Sequence, residues 1–262
     1  MLDSLFIGAT GMQAQQANLN VIANNMANVN TAGFKRNRID FEDLLYRAVS
    51  GTPNAPGLLV SGLGTSVATT DKLFTVGDVK QTSQPYDLAI HGQGFFEVVL
   101  PDGSSAYTRN GIFHVDSDGT LMNQDGYRLA GSIVVPTDAT TVTIAANGQV
   151  QAIVPTQQQP VALGEINIVT FLNPGGLQPL GANLFAIPTR TDESTSSSGE
   201  PQQNTPGENG SGTLAQGYLE VSNVNLIDEM VNLVIAQRAY EVNSKVVMAS
   251  DQLLSISNGL YR

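Results

Sequence analysis

Mostly apolar residues near the start of the chain recur at alternating steps of three and four, the spacing of one helix face. The face consists of Leu2, Leu5, Ala9, Met12, Gln16, Leu19, Ala23 and Met26. It predicts a helix over about residues 4–30, roughly 40 Å long at ~1.5 Å per residue. Asp3 or Ser4 is a candidate N-cap, and Gly33 suits the left-handed position after the last turn.

Four asparagines, Asn24, Asn25, Asn28 and Asn30, are concentrated at the end of this helix. Asparagine is a poor helix former because its amide competes with the backbone for hydrogen bonds. Their position therefore indicates a role in hydrogen bonding rather than in helix propensity.

A second helix is predicted within residues 222–254, with Asn225 as N-cap and Asp228 at the third helical position. One stripe consists of Leu226, Met230, Leu233, Gln237, Tyr240, Ser244, Val247, Asp251 and Leu254, and a second of Ile227, Val231, Val234, Val242, Val246 and Leu253. A helix that is apolar on more than one side needs more cover than one partner helix gives.

This excess of apolar surface favours self-assembly through the two ends. Six side chains of the first stripe would contribute about 9–18 kcal/mol gross, at about 1.5–3 kcal/mol each if buried. The N-terminal helix can cover part of one stripe, and burial of the other against further copies would offset the roughly 4–15 kcal/mol cost of association. The alternative is a β-rich binding module that its own helix pair closes, which would be a stable monomer.

Between the ends the period changes from 3.6 to 2. Turn signals stand at Asp102-Gly103, Asn110-Gly111, Asp118-Gly119, Asp125-Gly126 and Asn147-Gly148. They predict hairpins of short strands, in which both central residues of each turn take positive φ.

The resulting fold class is α+β, with long terminal helices that form a coiled-coil-like layer and a β-rich middle of short antiparallel strands. The predicted domains are a terminal helical domain (1–34 and 222–262), a connector (35–70), a β domain (71–140 with 190–221) and a second β region (141–189), separate from the first or continuous with it. The polar stretch 192–212 and the Gly/Pro-rich stretch 50–64 are predicted to be a loop and a connector.

Charge and composition exclude several classes of partner. The 262-residue chain has a net charge of −11 and no cysteine. Residues 48–213 carry most of the negative charge, which disfavours nucleic acid and anionic lipid as partners. The start lacks a basic region and a long apolar core, so we expect no cleaved signal peptide, and no apolar run is long enough for membrane insertion.

The sequence predicts no catalytic, metal or cofactor site. His91 and His114 alternate on predicted strands and are expected to be surface histidines or histidines with satisfied hydrogen bonds, not metal ligands. Asp116-Ser117-Asp118-Gly119 lacks the rest of a calcium loop and is expected to be a hairpin turn. With no P-loop, nucleophile elbow or zinc spacing, we do not expect an enzyme.

Three segments carry a resemblance that covers the whole chain: ANVNTAGFKR (27–36), GQGFFEVVLPDGSSAYTRNGIFHVDSDGTL (92–121) and SNVNLIDEMVNLVIAQRAYEVNSK (222–245). They resemble the signature regions of bacterial flagellar rod and hook proteins. The length, the opening IGATGMQAQQANLNVIANN and FEDLLYR (41–47) are most similar to the distal rod member. A proximal rod or other axial member is the alternative.

The resemblance implies a structural subunit of the basal body that polymerises into a rigid hollow helical tube. The terminal helices would form the inner layer around an export channel and the β domains the outer layer, and the tube would cross the periplasm and transmit motor torque to the hook. Implied partners are further copies of the chain, proximal rod and hook proteins, the P- and L-rings and the flagellar type III export apparatus.

The resemblance also implies assembly residues. At the N-terminal end these are Leu5, Met12, Leu19, Ile22, Ala23, Asn24, Asn25, Asn28, Thr31, Gly33, Phe34 and Lys35. At the C-terminal end they are Ser222, Asn223, Asn225, Met230, Leu233, Gln237, Arg238, Tyr240, Asn243, Val247 and Leu254. One hypothesis is that the asparagine amides bond neighbouring subunits and fix their register; the other is that they cap and turn within one subunit. The connector 46–64 is where members of the family differ.

Overall fold

A computed structural model describes residues 2–44, 46–49, 59–131, 133–155, 159–188 and 198–259. Most of the stretch 50–64 lies outside them. The chain divides into two compact units. Unit 1 comprises Met1–Ala27, Asn37–Leu73 and Val224–Arg262, and unit 2 comprises Asn28–Arg36 and Phe74–Asn223. The predicted α+β class is confirmed, with one long helix near each end and a middle of antiparallel strands.

Unit 1 contains both long helices and two antiparallel strand pairs. Its elements are α1 (Leu2–Ala27), β1 (Asn37–Asp43), β2 (Tyr46–Val49), β3 (Leu59–Gly62), β4 (Thr65–Lys72) and α2 (Leu226–Gly259). Strand β1 pairs with β4, with a register shift between Asp40 and Phe41, and β2 pairs with β3.

The predicted start of α2 is confirmed, whereas both ends of α1 differ from the prediction. The Asn225 Oδ1 accepts a hydrogen bond from the Ile227 N–H at 3.0 Å, as an N-cap does. In contrast, α1 begins at Leu2, so Asp3 and Ser4 lie inside its first turn and do not precede it. It ends at Ala27, well before Gly33, because the asparagines that follow form turns.

The two helices pack antiparallel, through small residues. A Cβ added to Gly8 would lie 2.7 Å from Val247 Cγ2, and one added to Gly11 would lie 2.8 Å from Asn243 Nδ2. These glycines weaken α1 as an isolated helix, but they let α2 approach it closely. The helix pair therefore depends on the residues that the sequence marks as the weakest helix formers.

Unit 2 consists of short strands. They are β5 (Val79–Gln81), β6 (Leu88–His91), β7 (Phe95–Val99), β8 (Ser105–Thr108), β9 (Phe113–Val115), β10 (Leu121–Asn123), β11 (Arg128–Leu129), β12 (Thr141–Ile144), β13 (Gln149–Ile153), β14 (Val161–Glu165), β15 (Ile168–Thr170), β16 (Gln178–Gly181), β17 (Leu184–Ala186), β18 (Gln202–Asn204), β19 (Thr213–Gln216) and β20 (Tyr218–Glu220).

The largest sheet of unit 2 follows the order β16-β17-β8-β7-β11-β10-β9, and β15 joins β7 to β18. Along the edge of β7 opposite β8, β15 pairs with Phe95 and Phe96 and β11 pairs with Val98 and Val99. Strands β12, β13 and β14 form a separate sheet, and two further pairs are β19 with β6 and β20 with β5.

Four of the five predicted hairpin turns are confirmed in position, but their geometry differs from the prediction. In the turns at Asp102-Gly103, Asp118-Gly119, Asp125-Gly126 and Asn147-Gly148, only the glycine has positive φ, between 81° and 87°. Its N–H donates to the carbonyl oxygen three residues earlier at 2.9–3.1 Å. This is a type I turn that a left-handed glycine closes, so one residue rather than two takes positive φ.

Two predictions for the middle of the chain are wrong. Asn110-Gly111 joins β8 to β9, which do not pair; instead the Gly111 backbone accepts a hydrogen bond from the Leu88 N–H. The stretch 192–212 is not all loop, because β18 pairs with β15 and Ser198 is buried. Residues 192–197 lie outside the described part.

The core of unit 2 has an aliphatic and an aromatic part. The aliphatic part includes Leu88, Val98, Val150, Ile166 and Ile168, all fully buried. The aromatic part is a chain of edge-to-face ring contacts that joins Phe74, Phe95, Phe171, Phe185 and Tyr107. Burial alternates along β13, as the period of 2 predicts.

Candidate assembly surface and its buried anchor

The surface of α2 is apolar far beyond the part that packs on α1. Twelve of its large apolar side chains are exposed in the single chain: Leu226, Ile227, Met230, Val231, Val234, Ile235, Tyr240, Val242, Val246, Met248, Leu253 and Ile256. They include all six residues of the second predicted stripe, and Leu226, Met230 and Tyr240 of the first. We call this set the outer face of α2.

The side of α2 that is covered is smaller and more polar than either predicted stripe. Its buried residues are Glu229, Ala236 and Ser250, with Asn243 and Val247 half-buried between them. On α1 the buried positions include Gly8, Ala14, Ile22 and Asn25, not the predicted Leu5–Met12–Leu19 seam, whose members are half-buried. The helix contact thus includes Val247 of the first predicted stripe, and it leaves the second stripe exposed.

Asn25 is the polar centre of unit 1. It is 1% exposed; its Nδ2 donates to the Asn37 carbonyl at 2.9 Å, and its Oδ1 accepts from the Asn37 N–H at 2.9 Å. The same Nδ2 lies 3.5 Å from Glu229 Oε2 on α2. The amide thus pairs with one backbone residue as a neighbouring strand would, and it ties the end of α1 to the start of β1.

The segment that follows α1 forms turns within unit 2. The Thr31 hydroxyl donates to Asn28 Oδ1 at 3.1 Å. Gly33 has a φ of +69°, and its N–H donates to the Glu220 carbonyl at 2.9 Å. A Cβ at Gly33 would lie 2.5 Å from the Asn110 backbone nitrogen, so only glycine fits this turn.

Directly after Gly33, a buried cluster of charges holds three distant segments of unit 2 together. We call Lys35, Arg109 and Glu220 the buried triad. The Lys35 Nζ donates to Glu220 Oε1 at 2.6 Å, and an Arg109 NH group donates to Glu220 Oε2 at 3.0 Å. The exposed fractions are 1% for Lys35 and Glu220 and 4% for Arg109.

Further hydrogen bonds stabilise the triad, although the buried Arg109 Nε has no partner among the described residues. Glu220 Oε1 accepts from the Gly77 N–H at 2.8 Å, and Lys35 also donates to the Thr75 carbonyl at 2.7 Å. Arg109 donates to the Gly92 carbonyl at 2.7 Å, and its guanidinium lies 5.4 Å from the Phe95 ring centre. Buried charges persist in a folded protein only with such partners.

Burial controls the titration of the two cations. It lowers the pKa of Lys35, because desolvation outweighs the attraction of Glu220, and the nearby Arg109 lowers it further. Burial also lowers the pKa of Arg109, and Glu220 opposes that shift. Glu220 is the one anion of the triad, and it is the counter-charge of both cations.

Asn223, three residues after Glu220, binds the same segments. Its Oδ1 accepts from the Arg36 N–H at 2.7 Å, and its Nδ2 donates to Thr75 Oγ1 at 2.9 Å. Lys35 and Asn223 therefore both bond to Thr75, and their two segments meet in unit 2.

The remaining predicted site residues fall into three groups. Ile22 and Phe34 are buried. Thr31, Ser222, Leu233 and Leu254 are half-buried. Ala23, Asn24, Gln237 and Arg238 are exposed, and Arg238 pairs with Glu241 at 2.9 Å.

Sequence reasoning singled out Lys35 but missed Arg109 and Glu220. The only sequence signal for Arg109 was its place in the segment 92–121, and Glu220 lies two residues before the segment 222–245. Which opposite charges meet cannot be determined from positions 111 and 185 residues apart.

His91 and His114 are exposed, as expected, and Asp116–Gly119 is a hairpin turn. Within the described ranges, no group of His, Cys, Asp or Glu could hold a metal ion. In the same ranges, no helix is both long enough and apolar enough to cross a membrane.

Three family models match the chain. The model "Flagella basal body rod protein" matches residues 5–35, "Flagellar hook protein FlgE/F/G D1 domain" matches 89–152, and "Flagellar basal body rod FlgEFG protein C-terminal" matches 215–260. Each matched region contributes one residue of the buried triad.

Relatives match over the full length. A flagellar basal-body rod protein FlgG of Buchnera aphidicola subsp. Acyrthosiphon pisum is 44% identical over 261 residues, which cover 97% of this chain and 98% of the relative. FlgG of Borreliella burgdorferi is 42% identical over 271 residues, with both chains fully covered. The flagellar hook protein FlgE of the same organism is 34% identical over 194 residues, 70% of this chain but 43% of the hook protein. This chain therefore belongs to the family of flagellar basal-body rod proteins that includes FlgG.

Proposed function

We propose that the chain is a structural subunit of the distal rod and assembles with copies of itself into a rigid hollow helical tube. The observation that carries the proposal is the outer face of α2. An isolated soluble chain rarely leaves so many large apolar side chains exposed along one helix, and such a surface marks an interface.

The free energy available from this surface is comparable to the cost of assembly. The twelve side chains are already partly covered, so burying the remainder contributes about 9–18 kcal/mol gross, half the value for complete burial. The cost of association is roughly 4–15 kcal/mol. The gain is of the same size as the cost, before any contact of unit 2 is added.

In this proposal, unit 1 supplies the inner layer of the tube around an export channel, where helices of neighbouring copies form coiled-coil-like contacts. Unit 2 supplies the outer layer. The tube crosses the periplasm and transmits torque from the motor to the hook. Its partners are proximal rod and hook proteins at its ends and the P- and L-rings around it, and the subunits leave the cell through the flagellar type III apparatus without a cleaved signal.

The asparagine segment has two roles in this proposal. Asn25 and Asn28 make their hydrogen bonds within one chain and set the direction in which the chain leaves α1. Asn24 is exposed and accepts a bond from the Asn37 side chain at 3.3 Å, and it is the candidate for register contacts with a neighbouring copy. The other predicted assembly residues on the outer face, Met230 and Tyr240, contact neighbouring helices.

The test places a charge on the outer face. Ile235 is 61% exposed, so Ile235→Asp leaves the single chain folded, but it buries an unpaired carboxylate in the polymer. The matched control is Ile235→Leu, which keeps the same exposed position apolar. Swimming motility and the yield of rods in isolated basal bodies are compared, and circular dichroism of the purified chains checks the fold.

We expect Ile235→Asp to lose rods and motility and Ile235→Leu to keep both. Rods at wild-type yield from Ile235→Asp would refute the use of α2 in assembly. Strong protection of both helices in dilute monomer, with no tendency to polymerise, would instead favour the binding module that its own helix pair closes.

A further inference from the structure

Unit 2 has an apolar hollow on its surface, at the end of β7 where Val99 lies. Its volume is about 360 Å³. It is lined mainly by Val99, Leu121, Leu129, Ile133 and Val134. Val99 and Val134 are themselves exposed, so the hollow opens to solvent. It has room for an apolar side chain from outside.

Two polar groups stand at this hollow. The Thr120 hydroxyl is buried, and it has no hydrogen-bond partner among the residues that the structure describes. Arg128 lies at the rim, is exposed, and forms no ion pair with any described residue. The fitting occupant therefore carries an apolar side chain, a hydrogen-bonding group and an acid.

Unit 2 also exposes an apolar side chain with an acid nearby. Leu172 follows β15 and is 94% exposed, the highest value for any large apolar residue described. It lies beside Gly199, since a Cβ there would be 3.2 Å from Leu172 Cβ. Glu200, which follows, is exposed. Leu172 and Glu200 thus combine an apolar side chain with an acid, and the peptide groups around Leu172 can bond a hydroxyl.

These two features lie at opposite ends of β7. Strand β15 runs antiparallel to β7, with Val169 opposite Phe95, so Leu172 lies beyond the start of β7. The hollow lies where Arg128 pairs with Val99, the last residue of β7. Because five strand residues span about 16 Å at ~3.3 Å each, a chain cannot place its own Leu172 in its own hollow.

We propose that Leu172 of one copy inserts into the hollow of the next copy, with Glu200 facing Arg128. This contact joins different surfaces of the two copies, so it repeats from copy to copy and builds an open helical assembly. It rests on the proposed function, since it is a contact between outer-layer units of the polymer, and it names the residues that stack them.

Disulfide trapping tests the contact directly. The chain contains no cysteine, so the double variant Val134→Cys/Leu172→Cys has two thiols only. A disulfide needs Cα atoms within about 7 Å. The control is Val134→Cys/Leu180→Cys, since Leu180 is also an exposed leucine of unit 2. Isolated rods are treated with a mild oxidant and analysed on a non-reducing gel.

We expect a ladder of dimers, trimers and larger species from the Leu172 pair and none from the Leu180 pair. Rods that assemble but give no ladder, or equal ladders from both pairs, overturn the inference and leave the proposed function intact. Failure of the wild-type chain to form rods overturns the proposed function instead.

A charge exchange decides the case if the cysteine variants assemble poorly. Arg128→Glu and Glu200→Arg each place like charges at the contact, so we expect each to lower rod yield about tenfold. The double variant restores the opposite pair and should recover most of the yield. A double variant no better than the single ones overturns the contact.

Discussion

The buried triad gives the sharpest prediction for stability. Glu220→Gln changes one oxygen to an NH₂ group and keeps the shape of the side chain. It removes the only anion of the triad, so Lys35 and Arg109 remain as two cations that are almost fully buried. The new amide also cannot accept hydrogen bonds on both sides, so at least one of the three donors that meet the carboxylate loses its partner.

The expected cost is large. Breaking a buried ion pair by removing one partner costs about 3–5 kcal/mol, because an uncompensated charge is left in the interior. Two cations share this anion, so we expect the upper part of that range. Domains are stable by only about 5–15 kcal/mol, and for one of roughly 150 residues each kcal/mol lowers Tm by about 2–4 °C. The expected decrease in Tm is therefore about 8–20 °C.

Thermal and urea unfolding of the purified chain measure this effect. The control is Glu165→Gln, the same substitution at an exposed position of β14 in the same unit, which should change the free energy of unfolding by less than about 0.5 kcal/mol. If Glu220→Gln unfolds within about 1 kcal/mol of the wild type, then Glu220 behaves as a surface carboxylate, and the reasoning about the triad is wrong.

Three further predictions concern single residues. Gly33→Ala should lower the free energy of unfolding more than Gly103→Ala does, as measured by urea titration. Both glycines have positive φ, but only a Cβ at Gly33 would meet backbone atoms. Gly103→Ala should cost only the left-handed penalty of about 1–2 kcal/mol, and equal losses would show that the close contact at Gly33 has no cost. Asn25→Ala should destabilise unit 1 by roughly 2–4 kcal/mol, because the half-buried Asn37 N–H and carbonyl both lose the amide that bonds them. Exposed Asn24→Ala should cost far less, and similar losses would contradict this account. Folding lowers the pKa of Lys35 below its ordinary value of 10.5, so the folded chain releases this proton at a lower pH than the unfolded chain. The free energy of unfolding should therefore rise with pH in the window between the two pKa values. Lys35→Met should lack this rise, and parallel pH profiles for the wild type and the variant would refute the prediction.

Local signals in the sequence predicted much of this fold because their physics is local. A glycine after Asp or Asn between strands needs only its neighbours to form a turn, so the positions of four hairpins were predicted correctly. Asn225 likewise caps α2 through the amide of a residue two positions away. The geometry predicted for these turns was wrong. Asp-Gly suits both a two-residue turn and a type I turn that a left-handed glycine closes, and the sequence does not distinguish them.

The candidate site was less predictable because its contacts are distant in sequence. Lys35 could be singled out by its motif, but nothing near it indicates that its counter-ion is 185 residues away. Asn25 and Asn28 have similar sequence surroundings, yet one pairs with backbone in unit 1 and the other with a hydroxyl in unit 2. Such differences arise from tertiary packing, which cannot be read from the local pattern of residues around each asparagine.

The two stripes of α2 were predicted more accurately than the residues that meet α1. One stripe was expected to be partly covered by α1 and the other to stay exposed in a single chain, and every residue of the second stripe is exposed. The contact itself is made by small residues of α1, Gly8 and Gly11, which face Val247 and Asn243 of α2. Small residues allow close approach, but they remove little apolar area from water, so the helix pair of a single chain gains little hydrophobic free energy.

This weakness predicts how α2 behaves before assembly. With its outer face in water, α2 should open readily in the dilute monomer, since local stability follows the buried apolar contacts of a segment. We expect amide hydrogen exchange across α2 to be at least about tenfold faster than in the buried strands β7 and β13, a difference of ~1.4 kcal/mol. Assembly into rods should slow the exchange of α2 to that of the strands, because neighbouring copies then cover the outer face. If α2 is already as protected as β7 in the monomer, then small residues suffice to hold the helix pair, and the exposed apolar side chains need another explanation than assembly.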